Sequence, residues 1–390
     1  MHIPDTHWSL RHKENSPVYQ KLQAQRSFNM KSKKDFFGKS PTIFVGRFGY
    51  PKVNVGFLSV EQYQHHDEPL RWAHEDYSIQ KIIGLRTELV NSRFQTDVKQ
   101  LKGRFLDLTQ DVAMADRPTD MEINLTRRPQ FRLSWNQEAA PHGPSIDLMH
   151  ATVTENPHVP KKVDRIVSDT DMLAKEGMNE LFTKRIDEHY ITRLLSAGTL
   201  GKKRRMVPTR WSITAVDDQI GKRMLETIRT YDTTGNKAYF GSHLGNYFIV
   251  LFFDDMFSYE LFETYYKDTK YMTDHEPFTG RTNYAEQCGG GYYASRFPVL
   301  QAMQDMKKQA SVLVIRIITD EYYAPLGVWV VREAVRNAMR TEAIEFSDKQ
   351  LMIQYAKKLA MKRFGYDISH LLDASVVLRE AGVQRRISGY

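Results

Sequence analysis

Hydrophobic and polar residues alternate with two different periods along the chain, and the change of period marks out its elements. Ser40 to Leu58, SPTIFVGRFGYPKVNVGFL, sets β-forming residues on either side of a Gly49-Tyr50-Pro51 break, which predicts two short strands joined by a turn. Tyr247 to Phe253, YFIVLFF, is apolar on both faces and predicts a central strand covered from both sides. Ala238 to Phe240 is its candidate neighbour across Gly245-Asn246. Ser311 to Thr319, SVLVIRIIT, predicts a further strand, and Met121 to Trp135 a strand pair around Arg127-Arg128-Pro129.

A helical period appears in Ile79, Ile82, Ile83, Leu85 and Leu89, and again in Ile186, Ile191, Leu194 and Leu195 before Gly198 and Gly201. It returns in Val216, Ile220, Met224, Leu225 and Ile228, which predicts a helix from about Thr214, with Thr214 or Ser212 as its N-cap and Asp217 and Asp218 in its first turn. Gly289-Gly290-Gly291-Tyr292-Tyr293 is expected as a loop feeding a helix, its tyrosines either packed or free to stack on bases. Pro325 to Arg340 passes from turn into helix, and helices over Lys349 to Phe364 and Asp367 to Glu380 complete the pattern. The fold class is therefore α+β: a mixed sheet from the strands near 42–57, 121–135, 238–253 and 311–319, covered by helices. A polar, basic arm fills residues 1–38, one large core residues 39–380, and a tail residues 381–390. The proline-rich stretch from Gln137 to Pro160 is a candidate subdomain boundary.

Composition narrows the class of protein. With 390 residues, 41% hydrophobic and 26% charged, the chain reads as an ordinary globular protein. Lys plus Arg at 55 against Asp plus Glu at 47 gives a formal charge of +8, a modest excess that favours a polyanionic partner such as DNA. Cys288 is the single cysteine, so an intrachain disulfide and a cysteine zinc site are both excluded, as suits a reducing cytoplasm. No apolar run is long enough for a bilayer, and the first residues are too polar for a signal peptide, so a cytoplasmic protein without membrane contact is expected.

Candidate chemistry concentrates around Val207 to Asp218, VPTRWSITAVDD. Lys202, Lys203, Arg204 and Arg205 lead into it, Arg210 adds a forked guanidinium, and Thr209 and Ser212 add hydroxyls at a helix start, the arrangement of a phosphate site. The plainer reading is a turn at Pro208-Thr209, a capped helix and solvated lysines. Arg47, among Gly46, Gly49 and Gly56, is a second candidate phosphate contact. Asp254 and Asp255, leaving the apolar strand, either hold a divalent metal together with Asp217 and Asp218 or are ordinary turn residues. His65, His66, Asp67, His74 and Asp76 have the chemistry of metal ligands without the spacing of a defined site. The last seven residues read Q-x-x-I-x-x-Y through Gln384, Ile387 and Tyr390, the layout of a peptide that docks on a sliding clamp, with one terminal aromatic where two are usual.

Five blocks carry a family resemblance: SPTIFVGRFGYPKVNVG at 40–56, NPHVPKKVDRIVSDTD at 156–171, LSAGTLGKKRRMVPTRWSITAVDDQIG at 195–221, GGGYYASR, and PLGVWVVREAVR. From about residue 36 to its end the chain resembles the archaeal Nre DNA-repair family. The resemblance implies a role with damaged DNA and a C-terminal peptide for the sliding clamp PCNA, here Gln384, Ile387 and Tyr390. Many members also carry an N-terminal cysteine zinc motif, from which this chain departs. Three functions follow as expectations. The first is a DNA-repair factor holding DNA phosphates and recruited by the clamp. The second is a nuclease using Mg²⁺ or Mn²⁺ on Asp217, Asp218, Asp254 and Asp255. The third is an adaptor whose basic surface meets an acidic protein.

Overall fold

The computed structural model describes residues 33–130 and 139–380. The chain separates into two units: one runs through Ile220 and takes back Ala324–Trp329, and the other holds Gly221–Tyr323 and the chain from Val330 onward. The Gln137 to Pro160 stretch lies inside the first unit rather than between the two.

In the first unit, β1 (Asp35–Val45) and β2 (Lys52–Val60) form the expected hairpin. Two short helices, α1 (Pro69–His74) and α2 (Ile79–Glu88), precede β3 (Val90–Asp97), and α3 (Arg104–Met114) separates β3 from β4 (Thr119–Leu125) and β5 (Ser145–Val153). The five strands close into a barrel in the order β1-β2-β3-β5-β4. Closure depends on β1, whose register shifts between Lys39 and Thr42. Asp35 to Ser40 pair with β4, and Thr42 to Val45 pair with β2. β3 and β5 run parallel and every other neighbour is antiparallel. This five-stranded barrel, with a helix between the third and fourth strands, has the connectivity of the OB-fold. Strand alternation fills it: Val53, Val55 and Phe57 of β2 meet Ile43, Val45, Ile123, Ile146 and Ala151 inside, and Leu106, Val112 and Ala113 of α3 join the same core. Truncating Phe57 there would cost about 3–5 kcal/mol. Helices α4 (Lys161–Ser168), α5 (Ala174–Thr183), α6 (Glu188–Ser196) and α7 (Thr209–Ile228) follow, α7 ending in the second unit.

The second unit is a six-stranded mixed sheet. Its strands are β6 (Asn236–His243), β7 (Asn246–Phe253), β8 (Ser258–Tyr265), β9 (Tyr271–Glu276), β10 (Ser311–Ile318) and β11 (Ile344–Phe346), in the order β11-β6-β7-β10-β8-β9 with β8 and β10 parallel. β7 is central and its apolar side chains are buried on both faces, as YFIVLFF requires, with only Tyr247 partly exposed. Helix α8 (Gly290–Met306) covers one face with α9 (Trp329–Met339), which lies so close to β6 that a Cβ on Gly241 would sit 2.3 Å from the Ala338 amide nitrogen. Helix α10 (Lys349–Phe364) covers the other through Met352, Ala356 and Ala360. The α+β class holds, but the four expected strand regions divide between a barrel and a sheet, because periodicity marks a strand without naming its partner. Gly290 and Gly291 lie in the first turn of α8 instead of a loop, and the missing Cβ of Gly291 leaves room for Glu263, whose Oε1 would lie 2.6 Å away. The helix expected over Asp367 to Glu380 is two, α11 (Ser369–Ala374) and α12 (Val376–Glu380). Buried Glu260 divides them by accepting the Ser375 hydroxyl and the Val376 and Val377 amides. Among the described residues no helix is long and apolar enough to cross a membrane.

The chain just before β5 is tied down at Pro141 by one guanidinium. Arg86, buried on α2, donates Nε–H to the Pro141 carbonyl at 2.6 Å and Nη1–H to the His66 carbonyl at 3.2 Å, and pairs with Asp67. His66 accepts the Gln64 amide and reaches Glu88, and His65 reaches Glu68, so this histidine cluster makes local bonds within the fold. Next to Pro141, His142 is buried, its ring 5.0 Å from that of Phe44. Burial pushes its pKa down to about 4, assisted by the positive charges of Arg86 and Arg93. A histidine whose folded pKa is depressed stabilises the fold above its unfolded pKa, near 6.5, and loses that contribution as pH falls toward 4. Unfolding free energies from urea titrations at pH 7.5 and 5 should therefore differ by about 2 kcal/mol more in the natural chain than in His142→Gln. Equal differences would show that His142 is not the group whose protonation opens this segment.

Candidate nucleic-acid interface

The turn between β1 and β2 is short and self-bonded: Gly46 N–H donates to the Asn54 carbonyl at 2.8 Å, Tyr50 N–H to Arg47 at 3.3 Å and Lys52 N–H to Gly49 at 3.0 Å. It projects Phe48, 78% exposed, and Tyr50, 45% exposed, with the Arg47 guanidinium 5.0 Å from the Phe48 ring centre. Exposed Lys52 stands at its base.

Helix α7 starts at Thr209, five residues before the expected Thr214. Pro208 presets the entry, and its carbonyl accepts the Trp211 and Ser212 amides. Neither predicted cap caps: Ser212 donates its hydroxyl to the Val207 carbonyl at 3.3 Å, and Thr214 to Arg210 at 3.5 Å. Asp217 and Asp218 consequently lie in the third turn, not the first. The apolar period located only the buried part of the helix, because the first turn puts Trp211, 43% exposed, toward solvent.

This helix start is fixed to the barrel. Thr209 Oγ1 accepts the Val45 amide, the last of β1, at 2.9 Å. The preceding chain follows the same barrel end, since Met206 N–H donates to the Val98 carbonyl at 2.8 Å and Val98 N–H to Pro51 at 3.0 Å. The Trp211 ring lies 5.2 Å from that of Tyr50, tilted by 58°. Arg47, Thr209 and Arg210, separated by more than 160 positions, thus flank one surface that also carries Phe48, Tyr50 and Trp211. Beyond it the outer face of β2 and β3 pairs Lys52 with Asp97, Asn54 with Gln95 and Gly56 with Arg93. Arg93 is neutralised by Asp147 at 3.1 Å. Thr126 N–H donates to the Asp147 carbonyl, and exposed Arg127 and Arg128 follow it.

The cationic run divides by task. Lys202, Lys203 and Arg205 are exposed, Lys202 within 4.0 Å of the exposed Asp171, a pair worth little in water. Arg204 is half-buried and donates to the carbonyls of Gly201, Val167 and Asp169, which ties the loop to the end of α4. Ser212 is fully buried. Both residues are therefore structural where they were expected to meet phosphate.

Asp217 is buried and Asp218 half-buried in the first unit, whereas Asp254 and Asp255 belong to the second. Asp254 accepts the amide of Gly235, 19 positions earlier, and Asp255 that of the adjacent Met256, so each bonds separately to main chain. Among the described residues no three His, Cys, Asp or Glu side chains gather so as to hold a metal ion. Tyr292 and Tyr293 are buried, Tyr292 donating to Glu276, so they pack rather than offer faces to bases. Burial pushes the Cys288 thiol up, away from the reactive thiolate. Gln384, Ile387 and Tyr390 lie outside the described residues, as does most of the basic arm. Residue-type reasoning missed the exposed rings of Phe48, Tyr50 and Trp211. Their signal is an aromatic next to an arginine at a turn or helix start, in RFGYP and TRW, where a core has no place for a ring.

Comparison with known proteins is consistent along the chain. The model of the archaeal Nre N-terminal region matches residues 10–272 and that of the C-terminal region residues 276–390. DNA repair protein NreB of Archaeoglobus fulgidus is 32% identical over 91% of both chains. DNA repair protein NreA of Haloferax volcanii is 37% identical over 78% of both. DNA repair protein NreA of Archaeoglobus fulgidus is 36% identical over 77% of this chain and 79% of its own. No solved structure matches the chain significantly.

The Thr209 to Val45 bond should be measurable on its own. Thr209→Ala leaves the Val45 amide without its acceptor and should lower stability by about 1–3 kcal/mol in urea denaturation, while Thr209→Ser should stay near the natural value. Equal loss in both variants would assign the effect to the threonine methyl.

Proposed function

Because the chain belongs to the archaeal Nre family and its role is in DNA repair, we propose that it acts by binding DNA phosphates and is recruited to its substrate by the sliding clamp PCNA. The observation that carries the reading is the Thr209 to Val45 bond, which brings Arg210 at the start of α7 beside the hairpin of Arg47 and Lys52. Lys203 and Arg205 are exposed just before Met206, which is bonded to the same barrel end. Guanidinium and ammonium groups on one surface suit a phosphodiester backbone and give affinity without choice of sequence. The tail has the Q-x-x-I-x-x-Y spacing in sequence, with an aliphatic residue, an aromatic residue and an amide, as a clamp-docking peptide requires.

The alternative, a Mg²⁺- or Mn²⁺-dependent nuclease, requires Asp217, Asp218, Asp254 and Asp255 to act together, and the separate bonds of Asp254 and Asp255 do not favour it. On the binding reading, flap, duplex and single-stranded DNA should survive Mn²⁺ intact. Cleavage abolished by Asp217→Asn or Asp254→Asn would replace it.

Each phosphate contact contributes about 0.9 decade of affinity per decade of salt. Lys203→Glu with Arg205→Glu should therefore lower the salt slope of DNA binding by about 2, and an unchanged slope removes both residues from the interface. Tyr390→Ala should abolish capture of the chain by immobilised PCNA while leaving DNA affinity as it was. Capture at full strength would discard the tail as the clamp ligand.

A further inference from the structure

The surface at the end of the barrel carries more than charge. Phe48 is among the most exposed large apolar side chains of the described residues, and Tyr50 and Trp211 join it from two segments held together by the Val45 to Thr209 bond. The fold gains little from these rings where they stand, since Phe48 is 78% open to water. A duplex, whose base faces are already stacked, offers them no partner. A single strand offers every base face, and stacking on aromatic side chains is how sequence-tolerant binders of single strands gain affinity.

The rest of the surface fits the same ligand. Arg47, Lys52 and Arg210 rim the rings, and Arg127 and Arg128 leave β4 beside Asp147, across the β3–β5 edge. Between these groups the outer β2–β3 face presents Asn54 and Gln95, amides able to meet any base edge. Arg93 is paired with Asp147, and Asp97 accepts the Lys99 amide. The β1–β2 hairpin, the β2–β3 face and the β4–β5 loop are the parts of an OB-fold barrel that meet oligonucleotides. Topology alone would not assign a ligand, but here the exposed rings and cations lie on those parts.

We propose that this surface binds single-stranded DNA, with bases stacked on Phe48, Tyr50 and Trp211 and the backbone led by Arg47, Lys52 and Arg210 across the β2–β3 face toward Arg127 and Arg128. The inference rests on the reading that the chain binds DNA, and names the form of DNA and the residues that select it.

The test uses the full chain and fluorescence anisotropy with labelled oligo(dT), the same length of duplex, an abasic strand of equal charge, and oligo(rU). The natural chain should bind oligo(dT) more tightly than duplex or the abasic strand. Phe48→Ala and Trp211→Ala should each weaken oligo(dT) binding about tenfold, with duplex affinity and the salt slope unchanged, because the rings carry no charge. Phe48→Tyr and Trp211→Phe should restore most of the loss, which a merely structural effect on charge would not predict. Ring variants that bind oligo(dT) as the natural chain does, or an abasic strand bound equally well, would overturn stacking and leave DNA binding standing. Tighter oligo(rU) binding would reassign the surface to RNA. No binding to any probe would remove the DNA-binding reading itself, and this inference with it.

Discussion

A single strand serving two ladders is the constraint on which the first unit depends. β1 gives Asp35 to Ser40 to β4 and Lys39 with Thr42 to Val45 to β2, with a bulge between Lys39 and Thr42, and without both ladders the five strands would be an open sheet with two edges. Closure fixes where β1 ends. The Val45 amide points past the last ladder bond, and Thr209 supplies its acceptor at 2.9 Å. One backbone group at the end of β1 is therefore tied to the start of a helix more than 160 residues later. The aromatic and cationic groups at that junction are consequences of this tie, since Tyr50 and Trp211 approach to 5.2 Å only when hairpin and helix start are held together.

The same logic separates residues that look alike in sequence. Arg204 and Arg205 are adjacent and chemically identical, yet Arg204 donates to the Gly201 carbonyl of its own loop and to two carbonyls at the end of α4, while Arg205 is exposed. A guanidinium engaged with main-chain oxygen keeps its charge but has fewer N–H donors left for an anion. The division of the run depends on the turn at Gly198–Gly201 and on the carbonyls beside it and at the end of α4.

Much of the architecture was legible because burial writes a period. β7 reads as central from YFIVLFF, the β1–β2 hairpin reads from its GYP break, and α2 and α10 read from apolar spacing. What escaped has physical reasons. β8 and β9 carry polar residues, SYELFETY and YMTDHE, because the sheet interior of the second unit is built partly from paired charges such as Arg316 with Glu263 and Arg296 with Glu276, whereas β3, VNSRFQTD, sets Arg93, Gln95 and Asp97 on the outer barrel face. β5 was hidden by flanking prolines and read as a boundary, although its SIDLMHATV closes the barrel. At the site, Arg47, Thr209 and Arg210 were legible as phosphate chemistry, whereas their assembly was not: periodicity reports the buried side of a helix and says nothing of an exposed first turn.

The exposed rings supply the step from a basic surface to a selective one. Coulomb attraction falls off over roughly 10 Å in physiological salt and treats duplex and single strand alike, so cations alone would hold the protein anywhere on DNA. A ring contact has a range of one van der Waals layer and needs an unstacked base to meet it. In the proposed binding mode the two act in sequence: Arg47, Lys52, Arg210 and the exposed Lys203 and Arg205 would concentrate the polyanion near the barrel end, and the exposed rings of Phe48, Tyr50 and Trp211 would retain it only where its bases are free. For a repair protein that distinction matters, because unstacked bases mark the places where a duplex has been opened or damaged. The rings can make it only if they stay exposed and fixed in place, and the short self-bonded turn and the Thr209 tie provide that rigidity.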